Sequence, residues 1–188
     1  MHEWDNTTEF PNQIKSGTDK DKRGILTACS ISFIILILDQ LTKACIEKYV
    51  ENPIPVIPGF FNIVHVGNRG AAWGMFQNYP WLLFSISIIF FFGAVFFFRS
   101  ITEGWLERYY AVALVLGGVL GNSTDRIWRS GKVVDFLDFN LGFMRWPSFN
   151  VADSAICIGV TIFVLSSFLR PSPDKKTAEE ISSIVENN

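Results

Sequence analysis

One stretch of the sequence constrains the fold more than any other. Residues 80–98 carry no charged side chain, and they are mostly Phe, Ile, Leu and Val. A helix needs about 20 mainly apolar residues to cross a bilayer. Three further apolar stretches reach that length, at residues 24–49, 105–127 and 151–169. The pattern therefore predicts four membrane-spanning helices, and a chain of 188 residues has room for one such domain.

The charge content agrees with a membrane protein. Only 18% of the side chains are charged and the net charge is −2, whereas soluble domains average about 25% charged residues. These values argue against a disordered chain, a disulfide-rich secreted domain and a protein that binds nucleic acid. The three cysteines lack the spacing of a metal site. We therefore expect neither a metal ion nor another cofactor.

The distribution of basic residues predicts the orientation. With four spans both termini share one side, and nine Lys and Arg residues fall on that side against five on the other. The excess predicts that both termini are cytoplasmic. We divide the chain into a mobile cytoplasmic N-terminal tail at residues 1–23, a membrane domain at 24–170 and a polar cytoplasmic C-terminal tail at 171–188.

The two segments on the outer side are longer than the cytoplasmic turn between the second and third spans. Residues 51–79 contain β-branched residues between prolines, and residues 128–150 contain VVDFLDFNLGFMRW with partial alternation. Both patterns are typical of short strands. We therefore expect strands or hairpins near the outer surface of the membrane.

Two charged residues lie inside the first span. Asp39 and Lys43 are four residues apart, so they share one helical face in the favourable order of acid before base. Charged groups in a span are costly and are usually functional. The pair could neutralise itself and orient the helix, or it could contact a substrate, and the sequence leaves both possibilities open.

The third span ends in a glycine-rich polar motif. The glycines in residues 117–121 allow another helix or a ligand to approach the backbone closely. Asn122, Asp125 and Arg126 follow at spacings that place them on one face. Arg126 could bind an anionic lipid head group, clamp Asp125, or extend its charged end to the membrane surface.

The fourth span opens with a capping pattern. Asn150 is a favourable N-cap, and Asp153 then falls at the third helical position, where the helix dipole favours a negative charge. Asp135 lies 18 residues upstream, and an out-and-back connection could bring it beside Asp153. Two adjacent carboxyl groups can share a proton. Such a pair can activate water with one member and polarise a carbonyl with the other, as aspartic proteases do.

Five motifs together carry a family resemblance. They are DQLTK at 39–43, NRGAAWGMF at 68–76, GGVLGNSTDR at 117–126, GKVVDF at 131–136 and FNVADSAICIG at 149–159. In this order the motifs resemble those of the bacterial lipoprotein signal peptidases (signal peptidase II). The resemblance covers roughly residues 25–170.

The resemblance implies an aspartic endopeptidase of the bacterial inner membrane, with its active site at the periplasmic face. It implies an all-α membrane fold of four transmembrane helices with a small β-cradle or hairpin region on the periplasmic side. The substrates would be prolipoproteins whose Cys carries diacylglycerol, cut on the N-terminal side of that Cys. We expect a monomer in contact with membrane lipid and with no nucleic acid.

The resemblance also assigns residues. Asp135 and Asp153 match the catalytic pair of the family, and we expect Asp153 to be the general base and Asp135 the acid. The positions that match the substrate pocket of the family are Asp39, Lys43, Asn68, Gly70, Asn122, Asp125, Arg126, Asn150 and Ala152.

The sequence departs from the family pattern in three places. Arg69 replaces the usual threonine between Asn68 and Gly70, which puts a charge near the substrate entrance. One extra residue precedes Asp135, and we expect the loop around residues 130–131 to absorb it. The N-terminal tail is also longer than the family needs.

Other interpretations remain open at this level. Asp125 is a second candidate for the partner of Asp153, although its proximity to Arg126 favours a structural or binding role. The charges within the spans could form the ion path of a small transporter or channel. The chain could also be a membrane scaffold, in which Asp135 and Asp153 would be dispensable.

Overall fold

The computed structural model describes residues 10–170, with side chains from residue 22 onward except that of Ala72. The predicted C-terminal tail therefore lies outside the described residues. The described chain forms five helices and three strands, with a single 3₁₀ turn at Ala72–Gly74. They are α1 (Phe10–Tyr49), β1 (Ile54–Ile57), β2 (Phe61–Asn68), α2 (Pro80–Phe96), α3 (Phe98–Thr102), α4 (Leu106–Trp128), β3 (Val133–Phe139) and α5 (Val151–Leu169).

Two of the helices are long and apolar enough to cross a membrane. They are the Lys22–Tyr49 part of α1 and the whole of α5. Helix α2 is apolar but has only 17 residues, and α4 carries charged residues at both ends. The structure thus supports two of the four predicted spans, and membrane crossing by α2 and α4 stays a prediction. Helix α1 begins at Phe10, so part of the segment that we predicted as a tail is helical.

Helix α4 lies between α1 and α5, and its glycines make this packing possible. A Cβ added to Gly117 would lie 2.9 Å from the carbonyl oxygen of Ser32 on α1. A Cβ added to Gly118 would lie 2.7 Å from Ile156 on α5. Real side-chain atoms do not approach so closely, so both interfaces require the hydrogen atom of glycine. The predicted close approach of a neighbouring helix is confirmed on two sides of α4.

The strands form one antiparallel sheet in the order β1–β2–β3. Strands are thus confirmed in both outer segments, with β1 and β2 in the first and β3 in the second. The register pairs Val66 with Asp135 and Asn68 with Val133. Val134 and Phe136 of β3 pack on the end of α1 in a small core of buried residues. This core fixes the sheet against the helices.

The turn from α4 to β3 is tight. Ser130 and Gly131 both have positive φ, at 53° and 84°, and the Gly131 N–H donates to the carbonyl of Arg126 at 2.8 Å. This is the loop in which we expect the extra residue before Asp135. Two consecutive left-handed residues reverse the chain here and start β3 beside the end of α4.

The packing of α4 predicts that replacing glycine with alanine destabilises the protein at Gly118 but not at Gly93. Gly118→Ala places a methyl group against the backbone of Ala152, and overpacking of this kind costs about 1–3 kcal/mol. We expect the melting temperature in detergent to fall by roughly 3–10 °C. Gly93→Ala on α2 is the matched control, because a Cβ there meets nothing within 4 Å. Equal melting temperatures for the two variants would contradict this packing.

Candidate active site

The side chain of Lys43 is completely buried, and its ammonium group has three acceptors. It donates to Asp39 Oδ2 at 2.8 Å and to Asn122 Oδ1 at 3.0 Å, and it forms an ion pair with Asp125 Oδ2 at 2.9 Å. The charge of this ammonium group is thus met by two carboxylates and an amide oxygen. The pairing of Asp39 and Lys43 expected from their spacing is confirmed, and Asp125 from α4 joins them. We call Asp39, Lys43 and Asp125 the buried ionic cluster.

The carboxylates of the buried ionic cluster also bind backbone groups. Asp39 Oδ1 accepts the N–H of Ala152 at 2.9 Å, and Asp125 Oδ2 accepts the N–H of Val134 at 3.0 Å. Ala152 immediately precedes Asp153, and Val134 immediately precedes Asp135. The cluster therefore fixes the backbone next to both predicted catalytic residues.

Asp135 lies on β3 between two amide donors. Its carboxyl group accepts from Asn68 Nδ2 at 2.9 Å and from Asn150 Nδ2 at 2.7 Å. Burial, and then the negative charge of the nearby Asp153, raise the pKa of Asp135 to about 7. The two amide hydrogen bonds oppose this rise but are weaker. The carboxyl group of Asp135 therefore titrates near neutral pH.

Asp153 lies in the first turn of α5 as the sequence predicts. Its N–H donates to Asn150 Oδ1 at 2.9 Å, and its carboxyl group accepts the backbone N–H of Asn150 at 3.3 Å, which completes a capping box. Asn122 Nδ2 donates to the other carboxyl oxygen at 2.7 Å. These donors and the positive end of the helix stabilise a negative charge on Asp153, against the cost of burying it. Asn150 contacts both carboxyl groups and thus links Asp135 to Asp153.

Asp135 and Asp153 both line a cavity of about 630 Å³ between the sheet and the helices. Four of the residues predicted for the pocket share this lining, namely Asn68, Gly70, Asn122 and Arg126. The other five are completely buried and do not line the cavity. They are Asp39, Lys43, Asp125, Asn150 and Ala152.

The structure limits the possibilities that the sequence left open for Arg126. Its guanidinium group donates to the carbonyl of Asn122 at 3.2 Å and lies 3.5 Å from that of Gly70. The clamp on Asp125, one of the possibilities left open for Arg126, is not formed, and Arg129 binds that carboxylate at 2.7 Å. Arg126 is 7% exposed, and its buried Nε has no partner among the described residues. Arg126 thus lines the cavity close to the carboxylates of Asp135 and Asp153.

Sequence reasoning missed two members of the network. Gln40 Nε2 donates to Asp125 Oδ1 at 2.8 Å, and Arg129 connects Asp125 to Glu47 on α1. The four-residue spacing of Asp125 and Arg129 was the available signal for one of them. Gln40 carried no signal, because its partner lies on another helix.

The environment of Asp125 separates it from Asp135. Donors from Lys43, Val134, Gln40 and Arg129 surround the Asp125 carboxylate on all sides. It has no exposed surface and does not line the cavity. The Asp125 carboxylate is therefore held by protein groups, whereas Asp135 borders the cavity.

Known proteins match most of the chain. The family described as signal peptidase (SPase) II matches residues 31–169. The chain is 38% identical to the lipoprotein signal peptidase of Desulforapulum autotrophicum, over 81% of this chain and 98% of the relative. It is 39% identical to that of Bacillus pumilus, over 79% and 95%. A solved structure described as a bacterial membrane enzyme aligns with a TM-score of 0.69 at 36% identity, covering 79% of this chain and 96% of the other.

The buried ionic cluster predicts a large loss of stability on removal of its cation. Lys43→Met leaves Asp39 and Asp125 without their shared partner, and breaking a buried ion pair costs about 3–5 kcal/mol. We expect a lower melting temperature in detergent and little folded protein. Lys48→Met is the matched control, because Lys48 is exposed on the same helix. A melting temperature for Lys43→Met equal to that of the control would refute this role of the cluster.

Proposed function

The chain belongs to the signal peptidase II family, and we propose that it removes the signal peptide from diacylglyceryl-modified prolipoproteins with Asp135 and Asp153 as its catalytic pair. Cleavage occurs on the N-terminal side of the lipidated Cys. One observation carries the proposal. The two carboxyl groups border the same cavity, and Asn150 contacts both of them.

In this proposal the members of the pair have different roles. Asp153 carries the negative charge and accepts a proton from the attacking water, because Asn122 and the helix N-terminus stabilise its ionised form. Asp135 is protonated below its pKa of about 7, and it donates that proton to the carbonyl oxygen or to the leaving nitrogen. Because the two groups are coupled, they titrate as a unit.

The remaining cavity residues suit the substrate. Arg126 presents a positive charge to the cavity, where substrate carbonyl oxygens can accept hydrogen bonds. Val119, Ile156 and Cys157 form an apolar part of the wall on α4 and α5. That wall suits an acyl chain lying in the bilayer beside the scissile bond.

The proposal includes a location for the enzyme. The comparisons indicate a bacterial membrane enzyme. We place it in the inner membrane as a monomer with four spans, with both termini in the cytoplasm and the cavity at the periplasmic face. The excess of basic residues on the side of the termini supports this orientation.

Membership of a peptidase family decides among the alternatives raised by the sequence. The transporter interpretation needs intramembrane charges that are free to interact with ions, but Lys43 is completely buried and bound to Asp39, Asn122 and Asp125 within the protein. Neither the transporter nor the scaffold is retained.

The proposed pair predicts the effect of removing one carboxylate. Asp153→Asn and Asp135→Asn each abolish acid–base assistance, so we expect turnover to fall by about 10²–10⁴. Cleavage of a diacylglyceryl-modified prolipoprotein by purified protein is the measurement. Glu51→Gln is the control, because Glu51 is exposed in the outer loop and away from the cavity. Full activity in either Asp variant contradicts the assignment.

Asp125→Asn distinguishes the buried ionic cluster from the pair. We expect this variant to give less folded protein, because Asp125 binds Lys43, Arg129 and the backbone of Val134. Cleavage per folded molecule should persist. Loss of all cleavage at a normal amount of folded protein, combined with an active Asp135→Asn, would show that Asp125 is the partner of Asp153.

A further inference from the structure

A second, polar groove adjoins the catalytic cavity at Asp135. It has a volume of about 520 Å³, and its polar lining comes from Asn68, Arg69, Gln77, Asn78 and Ser148. Asn68, Asp135 and Ser148 line both spaces. A chain that passes the proposed catalytic pair can therefore continue directly into the groove.

Two basic residues, Arg69 and Lys132, lie at the edge of this groove. The ladder between β2 and β3 ends with Asn68 and Val133, so Arg69 and Lys132 are the next residues on the two strands. Both side chains are exposed. Lys132 Cδ lies 3.3 Å from the position of a Cβ built on Gly67, which is itself part of the groove lining. Arg69 and Lys132 thus occupy facing positions just beyond the end of the ladder.

Neither cation is neutralised within residues 22–170. No carboxylate in that part of the chain forms an ion pair with Arg69 or Lys132, and Asp135 is the only acid among the described residues that line the groove. Like charges at neighbouring strand positions repel each other. An anionic group bound at the end of the ladder would relieve that repulsion.

The proposed function implies a peptide substrate, which can extend into the groove. The inference about the groove rests on this proposed function. The apolar wall of the cavity lies on α4 and α5, whereas the groove is polar and lies on the sheet side. The residues that follow the scissile bond lead away from the membrane. They therefore enter the polar groove more readily than the apolar part of the cavity.

We propose that Arg69, with Lys132 beside it, makes this groove a specificity site for the first residues of the mature lipoprotein and favours acidic over basic side chains there. Both cations are exposed, so the effect is moderate and depends on salt.

The test compares three synthetic prolipoprotein peptides with the same diacylglyceryl-modified Cys. They carry Asp, Asn or Lys at the two positions that follow the Cys. We expect kcat/KM of the full-length enzyme to fall in that order, with roughly a five-fold difference between Asp and Lys at about 50 mM salt. The difference should shrink at about 500 mM salt, where the screening length is much shorter.

Variants of Arg69 test whether the groove causes the preference for acidic residues. Arg69→Thr restores the usual residue of the family and should reduce the ratio between the Asp and Lys peptides, and Arg69→Glu should invert it. Lys48→Gln is the matched control, because it removes an exposed cation elsewhere and should leave the ratio unchanged.

The outcomes separate the inference from the proposed function. Equal cleavage of the three peptides, or an unchanged ratio in Arg69→Thr, overturns the inference while the peptidase activity stands. A rate that follows the anionic lipid content of the vesicles through Arg69, and not the peptide sequence, shows that the cations bind lipid head groups and also overturns it. Failure to cut any of the peptides contradicts the proposed function itself.

Discussion

The ammonium group of Lys43 is buried at the centre of the molecule, and the site depends on how its charge is compensated. Burying a charge costs several kcal/mol unless partners satisfy it completely. The Lys43 ammonium group donates to Asp39 and Asn122 and forms an ion pair with Asp125. Because these acceptors come from α1 and α4, the charge holds the two helices in one arrangement.

The same network extends to the two residues proposed as the catalytic pair. The carboxylates of Asp39 and Asp125 bind the backbone immediately before Asp153 and Asp135, and Asn122 connects the ammonium group to Asp153. A site built in this way is preorganised, because its supporting groups are locked by their own hydrogen bonds. The cluster explains why charged residues occur in helices that are otherwise apolar.

The local features of the site could be predicted from sequence, whereas the long-range ones could not. The spacing of Asp39 and Lys43 and the cap formed by Asn150 and Asp153 depend on helix geometry alone, and both are confirmed. The contact of Asn68 with Asp135 depends on the register of β2 and β3. The partners of Asp125 come from three separate elements, and the sequence alone could not show that Arg129 rather than Arg126 binds it. No periodicity in the sequence encodes such contacts.

The central claim is that Asp135 and Asp153 act as one coupled pair. Infrared difference spectroscopy can follow the protonated carboxyl band of Asp135, identified by its loss in Asp135→Asn, as the pH is raised. We predict that this band titrates near pH 7 in the unmodified protein, because burial and the charge of Asp153 raise the pKa of Asp135 to about 7. In Asp153→Asn one of these causes is removed, so the band should titrate at lower pH. An unchanged titration in Asp153→Asn would contradict the pair.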